Sequence, residues 1–218
     1  MSGEVLIVLA MVALFGGIWY FAVQMERKRS EAMLATCQAM GFAFEEKGDV
    51  DSLRALGDLP VFNHGHSKRA RNVMSGRTAD QEVKLLDYQY TTGSGKNSHT
   101  HSQTVALFPG AGQGLPDLSL SPENFLHKIG EVFGYQDIDF DSSPEFSAVY
   151  LLRGPDEQAI RTAFTPDIQG FFAQQPGWHV EVRGGSVGIY RSSKRCKPEE
   201  APALLAEALG VLRAVTHS

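Results

Sequence analysis

The longest uninterrupted apolar segment of the chain lies close to its N-terminus. It reads VLIVLAMVALFGGIWYFAV from Val5 to Val23, 19 residues without a charge, and it lies between Glu4 and Glu26. A helix of this length spans roughly 28 Å, close to the ~30 Å hydrocarbon core of a bilayer. No helical phase gives the segment a polar face, as a helix in a soluble core would have. We therefore predict a transmembrane anchor over residues 1–25.

The residues after the anchor favour a continued helix. Residues 26–40, ERKRSEAMLATCQAM, contain good helix formers and are followed by Gly41, a residue typical of helix C-termini. Four apolar side chains of this segment fall on one helical face, namely Met33, Leu34, Cys37 and Met40. That face predicts a juxtamembrane helix packed on the domain, which would hold the domain close to the membrane.

Beyond Gly41 the pattern of apolar positions becomes strand-like. Strands are predicted at 41–44, 73–77, 82–90 and 103–108, with a short helix at 51–57 that Asp51 caps. A polar, glycine-rich connection joins the last two of these strands, so the pattern predicts an antiparallel meander.

The second half of the chain mixes helices with strands. Helices are predicted from Ser121 to Gly134, from Asp156 to Phe172 with a break at Pro166, and from Pro198 to Val215. Between them lie an acidic loop at 136–145, a buried strand at 146–153, and a hairpin of 178–182 with 186–191. The whole pattern predicts an α+β fold, in which a transmembrane helix precedes an antiparallel sheet covered by helices.

Composition limits the size and the class of the soluble part. Of the 218 residues, 43% are hydrophobic and 10% aromatic, which is ordinary for a globular protein and excludes a wholly disordered chain. Residues 41–218 suffice for one α+β domain, or for two lobes, 41–135 and 136–218, that share a core. The net charge of −5 argues against a dedicated nucleic-acid-binding protein, so no nucleic-acid partner is expected.

The charges beside the anchor predict its direction in the membrane. Arg27, Lys28 and Arg29 follow the apolar segment, whereas no Lys or Arg precedes it. The positive-inside rule therefore predicts a single-pass protein with a cytoplasmic C-terminal domain. A cleaved secretory signal is the alternative, but such a signal carries its positive charge before the apolar region. A lipoprotein cleavage box at 34–37 is also an alternative, although a charged run separates it from the apolar segment.

The same cations predict contact with anionic lipid. Arg27, Lys28 and Arg29 would lie at the membrane surface, where each basic residue contributes about 1 kcal/mol of attraction to anionic headgroups. Further cations lie at Lys68, Arg69, Arg71 and Arg77. An exposed charged loop explains all of these residues without a ligand.

Two His-x-His pairs are the sharpest candidate chemistry in the sequence. The pairs are His64-Gly-His66 and His99-Thr-His101. In a strand, residues i and i+2 point to the same face, so each pair could present two imidazoles to one transition metal. Pairing of the two segments would then assemble four metal ligands. The alternative is that both pairs lie in polar loops as solvated residues.

Other motifs predict turns rather than active sites. Gly93-Ser-Gly-Lys96 lacks the earlier glycine and the following helix of a phosphate-binding loop, so it is predicted to be a hairpin turn. The acidic residues Asp137, Asp139 and Asp141 lack the glycine and the distal glutamate of a calcium loop. No GxSxG, HExxH or Cys-His arrangement occurs, and no catalytic residue is predicted.

Three segments of the soluble part are distinctive, namely DYQYTTGSGKN at 87–97, QTV at 103–105 and YLLRG at 150–154. They resemble segments of uncharacterised bacterial single-pass membrane proteins of unknown function. The resemblance implies a bacterial inner membrane and no particular activity. Together with the anchor, it favours a membrane-tethered, non-enzymatic binding or scaffold protein with an unknown protein partner. The alternative is a metal-binding protein that uses the two His-x-His pairs.

Overall fold

A computed structural model describes residues 3–78, 80–123 and 135–216 of the chain. In this structure the predicted anchor and juxtamembrane segments form one continuous helix, α1 (Gly3–Ala39), of 37 residues. At about 1.5 Å per residue α1 is roughly 55 Å long, which exceeds the ~30 Å hydrocarbon core of a bilayer by several turns. Its last turns pack against the sheet, where Met33 and Cys37 are fully buried.

The end of α1 follows from the conformation of one glycine. Gly41 has a φ of +72°, which favours glycine because it has no Cβ atom. The amide of Gly41 donates to the carbonyl of Gln38, and that of Phe42 donates to the carbonyl of Cys37, both at 3.0 Å. These two bonds satisfy carbonyl groups that the end of a helix leaves open, and they turn the chain directly into the first strand.

The strands that the structure describes form one antiparallel sheet. They are β1 (Ala43–Gly48), β2 (His66–Arg77), β3 (Glu82–Thr92), β4 (His99–Phe108), β5 (Leu118–Pro122), β6 (Tyr150–Arg153), β7 (His179–Arg183) and β8 (Ser186–Tyr190). Their order across the sheet is β1-β2-β3-β4-β8-β7-β5-β6. Strand β8 pairs with β4, and β5 pairs with both β6 and β7. The segments 41–135 and 136–218 therefore contribute strands to the same sheet.

Short helices complete the described part of the fold. The α-helices after α1 are α2 (Val50–Ala55), α3 (Pro144–Ser147), α4 (Glu157–Ala163), α5 (Pro166–Gln174) and α6 (Ala201–Thr216). Single 3-10 turns lie at Pro60–Phe62, Gly95–Asn97 and Pro198–Glu200. The predicted break at Pro166 separates α4 from α5, because proline begins a helix readily and interrupts one that has already started.

The sheet buries apolar side chains on both of its faces. The helix face, which carries Met74 and Leu85, packs against α1 and α3 to α6. The loop face, which carries Tyr88, is covered by residues 53–62. Successive residues of a strand point to opposite faces, so Asp87 of β3 lies on the helix face beside α1. Adjacent residues of one strand thus belong to different cores.

The predicted α+β fold, with an antiparallel sheet after a long apolar helix, is confirmed. Strand β2 begins at His66 rather than at residue 73, because irregular pairing at two places hides its alternation. Ser67 and Asn72, which lie at these irregularities, both have a φ of +51°. Asp49, and not Asp51, caps α2 through the amides of residues 51 and 52.

Two further predicted elements differ from the structure. The helix that was predicted to start at Ser121 is preceded by a strand, since residues 118–122 pair with β6 and β7. The rest of that predicted helix, 124–134, lies outside the described residues. The strand predicted at 146–153 is divided, because its first residues belong to α3 and only Tyr150–Arg153 is extended.

Candidate functional site: a charged junction between anchor helix and sheet

Asp87 connects the middle of the sheet with α1. Its side chain is 4% exposed, and its carboxylate accepts two hydrogen bonds from Arg29. The Arg29 Nε atom lies 2.8 Å from Oδ2, and Nη2 lies 2.8 Å from Oδ1. This fork-to-fork geometry is the strongest arrangement available to an arginine and a carboxylate. The contact fixes one turn of α1 over one residue of β3.

Three more side chains donate to the same carboxylate. Asn72 Nδ2 lies 2.9 Å from Oδ2, Thr104 Oγ1 lies 3.0 Å from Oδ1, and Arg195 Nη2 lies 3.0 Å from Oδ2. Arg195 also makes a two-bond contact with Glu26 of α1, at 2.7 and 3.1 Å. We call this set the charged junction: Glu26, Arg29, Asn72, Asp87, Thr104 and Arg195.

Local backbone features bring these side chains together. Asn72 lies between the paired residues Arg71 and Met74, where the register of β2 shifts, and its φ of +51° is a conformation that asparagine tolerates better than most residues. The loop after β8 is held to β4, since Thr104 Oγ1 accepts from the amide of Cys196 at 3.1 Å. Arg29 also donates to the Cys196 carbonyl at 2.8 Å. The junction therefore ties α1, the sheet and this loop to one another.

Electrostatics keep Asp87 ionised in its buried position. Burial by itself would raise the pKa of this carboxyl, but the guanidinium groups of Arg29 and Arg195 outweigh burial and hold the pKa below its usual value. A buried ion pair of this kind contributes little against a well-packed apolar core, yet removal of one partner costs about 3–5 kcal/mol. The buried charge of Asp87 thus depends on the guanidinium groups of Arg29 and Arg195.

The structure places the four candidate metal ligands around β3. His64 is buried, and burial lowers its pKa to about 4. His66 is exposed, with Nε2 3.0 Å from the Gly93 carbonyl oxygen. His101 stacks on Tyr90 with ring centroids 4.9 Å apart, and its Nε2 lies 2.9 Å from a hydroxyl of β3. His99 begins β4 and is exposed.

The two His-x-His segments do not pair with each other as the sequence suggested, because β3 lies between β2 and β4. Across residues 3–78, 80–123 and 135–216, no group of three or more His, Cys, Asp or Glu side chains could hold a metal ion. Metal binding by His64, His66, His99 and His101 stays a prediction, which elemental analysis of untagged protein would test.

The predicted lipid contacts divide into two kinds. Arg27 and Lys28 are exposed on α1, and Arg27 pairs with Glu31 at 3.1 Å on the helix surface. Arg29 instead points into the junction, and its side chain is only 16% exposed. Lipid contact through Arg27 and Lys28 stays a prediction, whereas the structure assigns Arg29 to the sheet.

Sequence reasoning missed a buried carboxyl on the loop face. Glu181 of β7 is 2% exposed and accepts hydrogen bonds from the Val61 amide and the Tyr190 hydroxyl, both at 2.8 Å. Burial raises the pKa of Glu181 to about 7, although both hydrogen bonds oppose this shift. Alternation along β7 places Glu181 on the same face as His179. The alternation does not show whether that face is solvated or buried, so the sequence carries no signal that Glu181 is buried.

The N-terminal part of α1 carries its apolar side chains on the outside. Large side chains from Ile7 to Val23 are 44–69% exposed. Among the helices of the described residues, only α1 is long and apolar enough to cross a membrane. Exposure of so large an apolar surface to water is unfavourable, and monomeric soluble proteins rarely show it. This part of α1 is therefore suited to anchoring the chain in a membrane.

An apolar N-terminal helix joined to an antiparallel sheet places the chain in a class of helix-anchored α+β proteins. No protein-family model and no curated protein sequence matches the chain. Its fold is similar to the crystal structure of the mycobacterial trehalose monomycolate transport factor A, TtfA, with a TM-score of 0.61. That match has 13% identity and covers 88% of this chain and 94% of TtfA. The likeness establishes the fold, and the neighbour's bacterial origin agrees with the sequence resemblance.

Proposed function

We propose that the chain is a single-pass inner-membrane protein whose cytoplasmic domain serves as a non-enzymatic accessory or scaffold factor for another membrane protein. The observation that carries this proposal is the charged junction, because it joins α1 to the sheet without an intervening linker. If the domain only had to stay near the membrane, a flexible linker would do this as well as a rigid junction.

A fixed orientation supports a docking role. α1 is continuous through Ala39, its residues Met33 and Cys37 are fully buried, and Arg29 is bound to Asp87. These contacts hold the domain at one height and one angle relative to the anchor. Binding is opposed by the loss of rotational and translational entropy. A domain that is already oriented loses less of this entropy when it docks on a neighbour in the same membrane.

The chemistry of the junction favours structure over catalysis. A carboxylate offers about four lone-pair positions, and Asp87 receives hydrogen bonds from Arg29, Asn72, Thr104 and Arg195. A carboxylate occupied in this way has no open position for a proton from a substrate. We therefore assign Asp87 a role in holding the domain rather than in turnover.

The structural neighbour bears on the process that the chain would serve. TtfA is described as a transport factor for trehalose monomycolate. At 13% identity its cargo does not transfer to this chain. We extend to this chain only the general role of a transport factor, so the proposed partner is a protein of a membrane transport machinery.

Orientation has a direct test with fusions at the C-terminus. A green fluorescent reporter placed after residue 218 is expected to fluoresce, and alkaline phosphatase at the same position is expected to be inactive, because the positive-inside rule places this end in the cytoplasm. Intact-mass measurement of the membrane-extracted chain is expected to include residues 5–23. An active phosphatase fusion, or a mature chain that begins beyond residue 23, would overturn the proposed topology.

The docking role has a test that separates rigidity from proximity. An eight-residue Gly-Ser insertion after Val23 makes the tether flexible but leaves the pairs Glu26–Arg195 and Arg29–Asp87 in place. Cross-linking in intact membranes, followed by purification in mild detergent, is expected to recover a membrane protein with the wild-type chain and several-fold less of it with the insertion. The matched control carries the same insertion after residue 218.

Two outcomes of this experiment would count against the proposal. Equal recovery of the partner from both insertions would show that a fixed orientation is unnecessary. Failure to recover any reproducible partner with the wild-type chain would remove the accessory role itself.

A further inference from the structure

A pocket with a volume of about 130 Å³ lies between α1 and the helix face, beside the charged junction. It is lined by Glu26, Arg69, Arg71, Asp87, Tyr88, Gln89, Ser102 and Arg195. Sites for drug-sized molecules occupy roughly 300–1,000 Å³, so this pocket fits only a small group. The polar and charged lining restricts that group to an ion or a polar headgroup.

The charges that line the pocket do not cancel. Arg195 neutralises Glu26 and shares Asp87 with Arg29, so these four charges balance within the junction. Arg69 and Arg71 have no carboxylate within ion-pair distance in the described part of the chain. Both side chains are accessible, since Arg69 is exposed and Arg71 is half-buried. The pocket therefore carries two positive charges that no described acidic group offsets.

The register of the sheet directs these two arginines to the same side. Arg69 and Arg71 lie two residues apart in a regular part of β2, opposite Gln89 and Asp87 of β3. Side chains at i and i+2 share a face. Ser102 accepts a hydrogen bond from Gln89 at 3.1 Å, so its own hydroxyl hydrogen can point into the pocket. Two guanidinium groups and a hydroxyl are donors suited to phosphate oxygens.

The height of the pocket is set by α1. Glu26 lies three residues beyond Val23, the last residue of the apolar segment, and Arg29 lies six residues beyond it. These positions are roughly 4.5 and 9 Å from the end of the segment along the helix. The polar layer on each side of a bilayer is about 5–8 Å thick. The junction thus lies at the outer limit of the headgroups when the apolar segment fills the hydrocarbon core.

The direction of β3 brings Arg69 nearer to the membrane than the junction, whereas Arg71, which pairs with Asp87, lies level with it. Cys37 Sγ donates to the Phe42 carbonyl, the ring of Phe42 packs on Gly76, and Gly76 is paired with Val83. The end of α1 therefore lies near the start of β3.

Two spacings show that the helix and the strand run side by side. From Cys37 to Arg29 the helix spans roughly 12 Å, and from Val83 to Asp87 the strand spans roughly 13 Å. Two residues further along β3, Gln89 and its partner Arg69 are up to about 7 Å closer to the membrane.

We propose that this pocket binds the phosphate of an anionic lipid headgroup in the leaflet that faces the domain. Arg69 and Arg71 would contact the phosphate oxygens, and the junction would form the closed end of the pocket. A soluble phosphate ester shares this chemistry, but the height of the pocket favours the lipid. The inference goes beyond the accessory role, because it rests on α1 crossing the membrane and not on a protein partner.

The test uses native mass spectrometry of the full chain in mild detergent. Phosphatidylglycerol, phosphatidylcholine or the soluble headgroup analogue glycerol phosphate is added in separate titrations. The wild-type chain is expected to retain phosphatidylglycerol in preference to phosphatidylcholine. The double variant Arg69→Gln plus Arg71→Gln is expected to retain at least about tenfold less phosphatidylglycerol, since it removes both unpaired charges.

The matched control removes two charges elsewhere. Arg77→Gln plus Arg213→Gln changes two exposed arginines that do not line the pocket, and it is expected to bind phosphatidylglycerol as the wild type does. Melting temperatures of all three proteins test whether the fold is unchanged. If the double variant is destabilised, the single exposed change Arg69→Gln replaces it, with an expected loss of several-fold.

Each other result has a defined consequence. Equal loss of phosphatidylglycerol in the pocket variant and in the control would overturn the site and leave only general charge attraction. Retention of phosphatidylglycerol by the pocket variant would also overturn it. Binding of glycerol phosphate that depends on Arg69 and Arg71, with no gain from acyl chains, would overturn the lipid as its source.

Discussion

Single carboxylates determine how the domain meets the anchor and how it responds to pH. Asp87 and Glu181 are both buried, yet their surroundings act in opposite directions. Two guanidinium groups hold the pKa of Asp87 low, whereas burial without a cation in contact raises that of Glu181 to about 7. Asp87 therefore stabilises the fold in its charged form, whereas ionisation of Glu181 destabilises the fold.

Replacement of Asp87 tests the junction. Asp87→Asn keeps the size of the side chain but leaves Arg29 and Arg195 without their anion, and it is expected to lower the free energy of unfolding by about 3–5 kcal/mol. Urea unfolding of the full chain in mild detergent, followed by circular dichroism, measures this change. Glu157→Gln serves as the control, because its pair with Arg161 is largely exposed, and it is expected to cost less than about 0.5 kcal/mol. Similar losses in both variants would refute the role given to the junction.

Glu181 predicts a dependence of stability on pH. An unfolded carboxyl releases its proton near pH 4.3, whereas folded Glu181 keeps it up to about pH 7. The free energy of unfolding should therefore fall by about 4 kcal/mol as the pH rises through this window, and it should be constant above it. Glu181→Gln is expected to remove this component, which unfolding at pH 5, 6, 7 and 8 would show.

The control for this experiment is Glu45→Gln, an exposed carboxyl in β1, which should leave the pH profile of the wild type intact. Parallel profiles for the wild type and Glu181→Gln would mean that the burial of Glu181 has no effect on its ionisation.

Helices and strands show where local sequence signals are sufficient. The end of α1, the break at Pro166 and the hairpin of β7 and β8 all lie close to the places that glycine and proline indicated. The alternation of apolar positions predicts a strand only from residue 73, because two positive-φ residues, Ser67 and Asn72, interrupt the pattern of β2 before that point. Asn72 is needed at its irregular position, since it donates to Asp87. A departure from regular strand geometry here serves the junction.

Two glycines provide a paired test of helix geometry. Gly41 has a φ of +72°, Gly170 lies inside α5, and an added Cβ atom would contact nothing within 4 Å at either position. Gly41→Ala is therefore expected to lower the free energy of unfolding by about 1 kcal/mol through backbone strain alone. Gly170→Ala is expected to raise it by about 0.5–1 kcal/mol, because alanine favours a helix interior. Changes of the same sign in urea unfolding would contradict this assignment of the end of α1.

In the molecule as a whole, the end of the apolar segment and the start of the folded domain are different boundaries. The apolar segment ends at Val23, but Arg29, Met33 and Cys37 belong to the contacts of the domain. A division at residue 41, as the sequence suggested, would separate these side chains from the core that they complete.

Truncation tests this boundary. A chain that starts at residue 24 is expected to be soluble and folded, because it keeps the junction and the buried side chains of Met33 and Cys37. A chain that starts at residue 41 is expected to aggregate, since it leaves Asp87 buried without Arg29 and exposes the surface that Met33 and Cys37 cover. Gel filtration and circular dichroism distinguish the two. Equal solubility and melting temperature would show that the juxtamembrane turns are dispensable.

The sequence alone was enough to predict the apolar anchor, its continuation as a helix and the α+β character of the domain, because these depend on composition and on contacts between near neighbours. It did not reveal that Asp87 meets Arg29 from 58 residues away, that Glu181 is buried, or that β3 separates the two His-x-His segments. These features depend on strand order and on which face of each strand is covered. Only the folded chain specifies strand order and the covered faces, because a single sequence does not indicate which distant residues will come into contact across a sheet.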